Sequence, residues 1–310
     1  GDVKSSDFSE NNSGNEYESW LGTSQDQDAQ ETIAVVQKNK QYWLIVDHYA
    51  LDQKWETKMR PHVRKIMVID DMANRQHDCD ILLDQTYGRK ITDYQPLISE
   101  DCKLILGSGN ALLRPDFSKL RSSALLRREQ HKSIKRLMIS MGSMDEANIT
   151  PKIIEALTCI DWETKPTIDV VLTSGAPHIA TVKEIAANSK LTVNVIVDAS
   201  NMAELMLEAD LAIGAGGTTS WERCCLALPT ILIILSENQK IIGKNLANIG
   251  ATITLQKDSK MEERIKQSIE MLMQNKNNYM AMCHNSAKLC DGNGAKRIVD
   301  QMMKVKVGDS

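Results

Sequence analysis

A glycine-rich stretch in the second half of the chain has the residue types of an anion-binding turn. The sequence AIGAGGTTSWERC begins at Ala212 and passes from an apolar run, through glycines, into a helical segment. Glycines let the backbone approach a ligand and adopt positive φ, and the free N–H groups at a helix start favour phosphate. No lysine follows the glycines, so the P-loop pattern is not met, and Thr219 stands where GxGxxG needs its third glycine. The stretch predicts a diphosphate site built from backbone and hydroxyl groups.

The residues assigned to this turn are Gly216, Gly217, Thr218 and Ser220. Thr218 and Ser220 are of the types that cap helices. Glu222, one helical turn further on, can accept hydrogen bonds from a ribose diol. The alternative for this stretch is an ordinary glycine-rich turn followed by a capped helix.

Two other apolar runs also end in polar residues that suit a ligand. The run RLMISMG is followed by SMDEAN, and TILIIL is followed by SENQ. The first predicts a second ligand turn, and the paired amides of the second suit sugar hydroxyl and acetamido groups. Helix caps and a polar loop are the alternatives. The residues concerned are Gly142, Ser143, Asp145, Asn148, Asn238 and Gln239.

In the first half, the triplet Asp47-His48-Tyr49 ends the apolar run YWLIVD. Histidine can act as a general base near neutral pH, and Tyr49 can donate a hydrogen bond to a leaving phosphate oxygen. Asp47 can orient either of them, although a polar loop is the alternative. Asp70 and Asp71 follow the next run, and we interpret them as capping or domain-interface residues before metal ligands. We therefore predict no metal site and no cofactor.

These residues lie at the ends of short apolar runs that alternate with helical stretches, which predicts parallel sheets with helices on both faces. The fold class is α/β, with two Rossmann-like doubly wound domains at residues 1–125 and 126–310, and we expect the first to be incomplete at its N-terminus, since it starts with a loop rather than a strand and a glycine-rich turn. The charged segment 112–135 supplies the boundary. Residues 1–30 are polar and aperiodic, so we expect a loop there. The predicted strands are 42–47, 65–70, 80–84, 103–107, 136–142, 168–174, 191–197, 210–215, 230–235 and 251–255.

Composition limits the partners of the chain. The 310 residues have a formal net charge of −4 and a pI near 5.9, so nucleic acid and anionic membranes are poor default partners. No stretch approaches the roughly 18–20 apolar residues of a membrane span. The seven scattered cysteines indicate reduced thiols, and hence a cytoplasmic protein. We expect a monomer.

Taken together, the motifs resemble the GT-B architecture of the MurG-type UDP-sugar enzymes. More closely, the chain is similar to the UDP-2,4-diacetamido-2,4,6-trideoxy-β-L-altropyranose hydrolases of pseudaminic acid biosynthesis. Pseudaminic acid is a sugar used in flagellin glycosylation. The stretches that carry the resemblance span most of residues 40–255. They are WLIVDHYALD, IDDMANRQHDCDILLDQ, LILGSGNALLRPDF, ISMGSMDEAN and NMAELMLEADLAIGAGGTTSWERCCLALPTILIILSENQ.

The resemblance implies hydrolysis of a UDP-linked sugar to UDP and free sugar. It puts UDP in the turn that contains Gly216 and Gly217, with Glu222 on the ribose. Gly142 and Ser143 would lie beside the diphosphate, and Asn238 and Gln239 near the sugar. Tyr49 would assist at the reacting centre.

One feature of the family is not found in this sequence. Its members open with a strand and a GTGH-type turn, whose histidine is taken as the base that activates water. His48 belongs to a different motif, so we expect this chain to bind UDP but to hydrolyse the nucleotide sugar poorly. A GT-B glycosyltransferase and a catalytically impaired UDP-sugar-binding fragment are the alternatives.

Overall fold

The structure, a computed structural model, describes residues 17–38, 42–130, 133–142 and 144–305. Every one of the ten predicted strands is present within a residue or two of its expected position. The reason is that strands buried on both faces of a parallel sheet are apolar without interruption, which makes them easy to recognise. The strands are β1 (Trp43–Val46), β2 (Lys65–Ile69), β3 (Ile81–Asp84), β4 (Lys103–Leu106), β5 (Arg136–Ser140), β6 (Thr167–Leu172), β7 (Thr192–Val197), β8 (Leu211–Ala215), β9 (Thr230–Ile234) and β10 (Thr252–Gln256).

Helices occupy most of the connections between these strands. The α-helices are α1 (Gln25–Val36), α2 (Gln53–Met59), α3 (Ile91–Tyr94), α4 (Pro115–Gln130), α5 (Thr150–Thr158), α6 (Ile179–Asn188), α7 (Met202–Glu208), α8 (Thr219–Cys225), α9 (Asn238–Asn248), α10 (Met261–Gln274), α11 (Lys276–Ala287) and α12 (Gly294–Lys304). Short 3-10 helices lie at Glu18–Leu21, Arg60–His62 and Ser108–Asn110. No helix in the described ranges is long and apolar enough to cross a membrane.

The expectation of a loop over residues 1–30 was wrong for its second half, where α1 begins at Gln25. Ser24 caps this helix, because its hydroxyl accepts a hydrogen bond from the Gln27 backbone N–H at 3.2 Å. Asp28 anchors α1 to α2 by accepting a hydrogen bond from the Trp55 indole at 2.8 Å. Gln25 and Asp26 of α1 also contact Asp52 and Lys58 of the α2 segment. A helix held by a cap and by polar contacts of this kind has no clear apolar period, so the sequence did not reveal it.

The described residues form two units, each built on one parallel sheet. The first unit contains residues 17–84 and 90–105, with strand order β1-β2-β3-β4. The second contains residues 85–89 and the described residues between 106 and 305, with strand order β10-β9-β8-β5-β6-β7. The boundary expected between residues 125 and 126 falls inside α4, a helix of the second unit. Its residues Phe117 and Ala124 are fully buried in that unit's core.

In the second sheet, apolar side chains pack on both faces. Leu137 and Ile139 of β5 belong to the core on one face, whereas Met138, between them, belongs to the core on the other. The chain runs outward from β5 through β6 to β7, and then returns to add β8, β9 and β10 on the other side of β5. The direction of winding therefore reverses between β5 and β8. In open α/β sheets, ligands bind beyond the carboxyl ends of the strands at such a point.

Candidate functional site

The ends of β5 and β8 lie side by side at this reversal point. Ser140, the last residue of β5, is the register partner of Gly214 in β8. The two predicted ligand turns follow directly from these strands, so they share one edge of the sheet. β9 pairs with β8 on the other side, and it brings the SENQ segment to the same edge. The fold thus gathers the candidate residues of the second unit at the site that a doubly wound sheet offers to a ligand.

The glycines of the 214–222 stretch have three different roles. Gly214 makes room, because a Cβ at this position would overlap the Arg223 guanidinium. Gly216 is covered by Gln239, whose Cβ would lie 3.2 Å from an added side chain. Gly217 faces open space, with no atom within 4 Å of its missing Cβ. None of these three has positive φ, so the expectation that the turn uses glycine for that conformation was wrong. The other expectation, that the Gly217 backbone approaches a ligand closely, stays a prediction.

Helix α8 begins at Thr219 and has seven residues. Thr218 is its N-cap residue but forms no side-chain capping bond, contrary to the expectation from its type. Ser220 is buried, and its hydroxyl accepts a hydrogen bond from the Gly217 backbone N–H at 3.4 Å. The turn is therefore held from within by Ser220, while the exposed Thr218 hydroxyl is directed to no partner in the described residues.

Glu222 is half-buried, and its carboxylate has no hydrogen-bond or ion-pair partner among the described residues. Burial raises its pKa, against the weaker opposing effect of the Arg114 and Arg223 guanidinium groups. A desolvated carboxylate without a partner beside an open turn is an acceptor available to a ligand.

The turn after β5 begins with Gly142, which has φ of +83° and open space around its missing Cβ. Asp145 is 4% exposed, and both of its carboxylate oxygens accept backbone N–H bonds of 2.9 Å from Ile149 and Thr150 at the start of α5. Its carboxylate therefore has a structural role as a cap. Ser143 lies outside the described residues.

Asn148 lies in the left-handed region, with φ of +49°. Its side-chain oxygen is buried and has no hydrogen-bond partner in the part of the chain that the structure describes. An acceptor of this kind requires a water or a ligand group to complete its bonding. Asn148 is thus better suited than Asp145 to contact a bound molecule.

The two amides after β9 differ in what they contact. Gln239 is half-buried, and its side-chain oxygen accepts the Leu235 backbone N–H at 3.0 Å. Together with its contact on Gly216, this bond makes Gln239 a support for the turn. Asn238 is exposed and forms a hydrogen bond with the Ser236 hydroxyl. Of the pair, Asn238 is the more exposed residue.

In the first unit, the triplet after β1 is held by a buried arginine. Arg75 donates from Nε to the Leu51 carbonyl at 2.9 Å and from Nη1 to the Asp70 carboxylate at 2.6 Å. The His48 carbonyl lies 3.5 Å from the other guanidinium nitrogen. Arg75 therefore ties the loop that follows β1 to the end of β2.

The three side chains of the triplet have different surroundings. His48 accepts the Ala50 backbone N–H at Nδ1 over 3.1 Å, so the neutral ring carries its proton on Nε2. Burial, followed by a hydrogen bond to the Asp71 carboxylate, raises the pKa of the Tyr49 hydroxyl. Tyr49 also packs against Tyr17, with ring centroids 5.2 Å apart, while Asp47 is exposed.

Asp70 is 1% exposed and has a structural role, as expected from its position after β2. Burial alone would raise its pKa, but Arg75, the Ala73 N–H and Tyr94 hold the pKa below its usual value. The Tyr94 hydroxyl lies 2.7 Å from Asp70 and 3.0 Å from the Asp84 carboxylate. No group of three or more His, Cys, Asp or Glu side chains in the described residues is arranged to hold a metal ion.

Two residues at the second-unit edge were missed from the sequence. Arg223 is 2% exposed beneath the 214–222 turn. Arg114 acts on Glu222 and donates to the Ser200 carbonyl at 3.0 Å. Arginine is rarely buried without an acidic partner, so the residue type gave no reason to expect Arg223 in the interior.

Residues 137–302 match the model of the glycosyltransferase family 28 C-terminal domain. The chain belongs to this family. The match covers the second unit from β5 to α12, and it therefore includes both turns and Glu222.

Two proteins that are similar in sequence align with more of the chain than the family model does. The UDP-2,4-diacetamido-2,4,6-trideoxy-beta-L-altropyranose hydrolase of Campylobacter jejuni is 29% identical over 224 residues, which cover 71% of this chain and 76% of that protein. An uncharacterized protein of Methanocaldococcus jannaschii is 25% identical over 203 residues, which cover 64% of this chain. The chain spans only 41% of that archaeal protein.

Among solved structures, MurG of Acinetobacter baumannii resembles this chain with a TM-score of 0.61 at 16% identity. The similarity covers 92% of this chain and 80% of MurG. The two parallel-sheet α/β units therefore have the GT-B-like fold, and the predicted fold class is confirmed.

Proposed function

We propose that this chain processes a UDP-linked sugar, that its second unit holds the UDP, and that the reaction is hydrolysis to UDP and free sugar. The family and the similarity to the Campylobacter hydrolase support a role on nucleotide sugars. That relative also supports a diacetamido-trideoxy sugar as the group attached to UDP.

The observation that carries the proposal is the state of Glu222. Its half-buried carboxylate lies without a partner, in the described residues, one helical turn from Gly217, whose backbone is open to a ligand. A ribose presents two adjacent hydroxyl donors, which match the two oxygens of one carboxylate. Phosphates attached to that ribose would then approach the backbone of Gly217 and the hydroxyl of Thr218.

The other predicted contacts follow from their free polar atoms. Asn148 would contact the diphosphate or sugar through its unpartnered oxygen, and Gly142 would allow the ligand to approach the chain. Asn238 would bind a sugar hydroxyl or acetamido group. We assign Asp145, Ser220 and Gln239 to support of these contacts, because their oxygens bind neighbouring groups of the chain.

At the reacting centre we propose Tyr49 as a hydrogen-bond donor, whose hydroxyl would exchange its present bond to the Asp71 carboxylate for one to the ligand. His48 would donate through Nε2, because its Nδ1 already accepts a backbone N–H. A histidine in this arrangement has no free lone pair with which to take a proton from water. We therefore do not assign His48 as the base, and we expect His48→Asn, which loses the Nε2 donor, to slow any turnover without abolishing it.

The test is release of UDP from the UDP-linked diacetamido-trideoxy sugar with no acceptor other than water. Slow release, with the free sugar as co-product, is the expected result because no residue is assigned as the base, and UDP-N-acetylglucosamine serves as the control substrate. If UDP is released only after an alcohol acceptor is added, the reaction is glycosyl transfer, which the family's name favours. If the protein binds UDP but releases none from the nucleotide sugar, with or without an alcohol acceptor, it is a binding protein and the proposed reaction is refuted. Loss of hydrolysis in His48→Asn would show that His48 is the base.

A further inference from the structure

Arg223 is a buried cation directly behind the candidate diphosphate turn. Its side chain is 2% exposed, and one guanidinium nitrogen, Nη2, donates to the Ala215 carbonyl at 2.8 Å and to the Ser220 hydroxyl at 3.1 Å. Its Nε is buried without a hydrogen-bond partner in the described residues. The guanidinium is thus in contact with the last residue of β8 and with the hydroxyl that holds the turn.

The charge of Arg223 is not neutralised by a neighbouring acid. It forms no ion pair in the described part of the chain, and Glu222, next to it in sequence, acts on it only weakly. Buried arginines are normally paired, because removing an unpaired charge from water is costly. Negative charge on a bound ligand would supply a compensation for which the described residues offer no ion pair.

A second buried arginine in the same unit shows that this situation is specific to the turn. Arg128 is 1% exposed, and its Nε is also without a partner. However, its guanidinium donates to the carbonyls of Met206 and Ala209, and the negative charge of Asp210 acts on it. Arg128 is thus compensated within the protein, at the amino end of β8.

The place of Arg223 is prepared by the strands around it. A side chain on Gly214 would overlap the guanidinium and would lie 3.0 Å from the Ser140 carbonyl, so glycine is required at this register position. Because Ser140 and Gly214 are partners across β5 and β8, Arg223 lies at the point where both ligand turns leave the sheet. Helix α8, with seven residues, is too short to supply much positive potential by its own dipole.

We propose that Arg223 is a positioning residue that fixes the turn through Ser220 and supplies, from beneath it, the positive charge that balances a bound diphosphate. The inference rests on the proposed binding of UDP in the second unit. It explains how a turn without a P-loop lysine can hold two phosphates. Arg223 does not touch the ligand in this arrangement, and its effect is transmitted through space and through the Ser220–Gly217 contact.

The test compares ligands that differ in phosphate content. Affinities of the full chain for uridine, UMP, UDP and inorganic pyrophosphate are measured by calorimetry for the unmodified protein, Arg223→Met and Arg223→Lys. Arg128→Met is the matched control, because it removes an equally buried arginine remote from the turn. Thermal melts establish that each variant is folded.

We expect Arg223→Met to weaken UDP and pyrophosphate by about tenfold or more, UMP less, and uridine little. This is the effect of one charge several ångströms from a phosphate at an effective dielectric constant of about 20. Arg223→Lys should retain the preference for UDP over uridine to within about threefold. Arg128→Met should change all four affinities equally or not at all.

An equal loss for uridine and UDP in Arg223→Met would show a merely structural role and overturn the inference, as would no loss. If Arg223→Met does not fold, the test depends on Arg223→Lys, which keeps the positive charge. Loss of its preference for UDP over uridine would then contradict the inference. If the unmodified protein binds pyrophosphate but not UDP, the proposed function is refuted, and the role of Arg223 is then tested by the effect of Arg223→Met on pyrophosphate affinity. If the unmodified protein binds neither ligand, the proposed function and the role of Arg223 are both refuted.

Discussion

The most direct perturbation of the candidate site is removal of the Glu222 carboxylate. We expect Glu222→Ala to weaken UDP by about 1.5–3 kcal/mol, the scale of a hydrogen bond to a charged group. At about 1.4 kcal/mol per factor of ten, this is a loss of roughly 10- to 150-fold in the UDP dissociation constant. Glu222→Gln should lose less, because its amide oxygen still accepts one ribose hydroxyl.

The same residue has a predictable effect on stability. Because burial raises the pKa of Glu222, the folded state binds its proton more tightly than the unfolded state does. Ionisation of Glu222 therefore lowers the free energy of unfolding. This loss is absent below the ordinary glutamate pKa, and it grows as pH rises through the pKa that Glu222 has in the folded state. Glu222→Gln should accordingly raise the melting temperature at pH 7, with the gain vanishing near pH 4, while it weakens UDP.

Calorimetric titration of UDP, with a thermal melt of each variant, is the assay. Glu237→Ala is the control, since this acid is exposed and pairs with Lys240 at 2.6 Å beside the same edge of the sheet. A folded Glu222→Ala protein whose UDP affinity is within about twofold of the unmodified chain would show that Glu222 does not bind the ribose.

Three further predictions concern the turn, the first unit and metals. Gly217→Ala should leave the melting temperature unchanged, because its Cβ meets no atom within 4 Å, yet weaken UDP; normal UDP affinity would contradict close approach there. Tyr94→Phe should lower the free energy of unfolding by about 1–3 kcal/mol in urea titrations, because it removes a hydroxyl from between two buried carboxylates. The exposed Tyr42→Phe is its control, and equal stabilities would refute this role. UDP binding and any turnover should survive EDTA, since the turn is built from backbone and hydroxyl groups; loss restored by magnesium would contradict this.

The sequence was sufficient to predict the strands and the edge of the second sheet at which the candidate site lies. Buried parallel strands such as β8 and β9 are apolar on both faces, and their carboxyl ends meet at one edge of a sheet. Polar residues in the turn and the first helical turn after such strands, including Glu222 and Asn238, therefore indicate a candidate site before any contact is known.

What the sequence left out depends on contacts between distant residues. The helical part of the expected N-terminal loop is stabilised by the Asp28–Trp55 contact, which no local pattern reveals. Asp145 has a residue type suited to a ligand, but its oxygens are occupied by the start of α5. The role of Gly214 is to accommodate Arg223, nine positions away, rather than a ligand.

Glu222 and Arg223 together are the main support for the proposal that this edge of the sheet binds a ligand. The two are consecutive in α8, carry opposite charges and are both desolvated, yet they form no ion pair with each other in the described structure. Burial raises the pKa of Glu222 and lowers the pKa of Arg223 to about 10, so each charge is held at a cost to the folded state. Perturbed groups of this kind cluster at functional sites. A nucleoside diphosphate offers hydroxyl donors to one and negative charge to the other, so a single ligand would offset both costs.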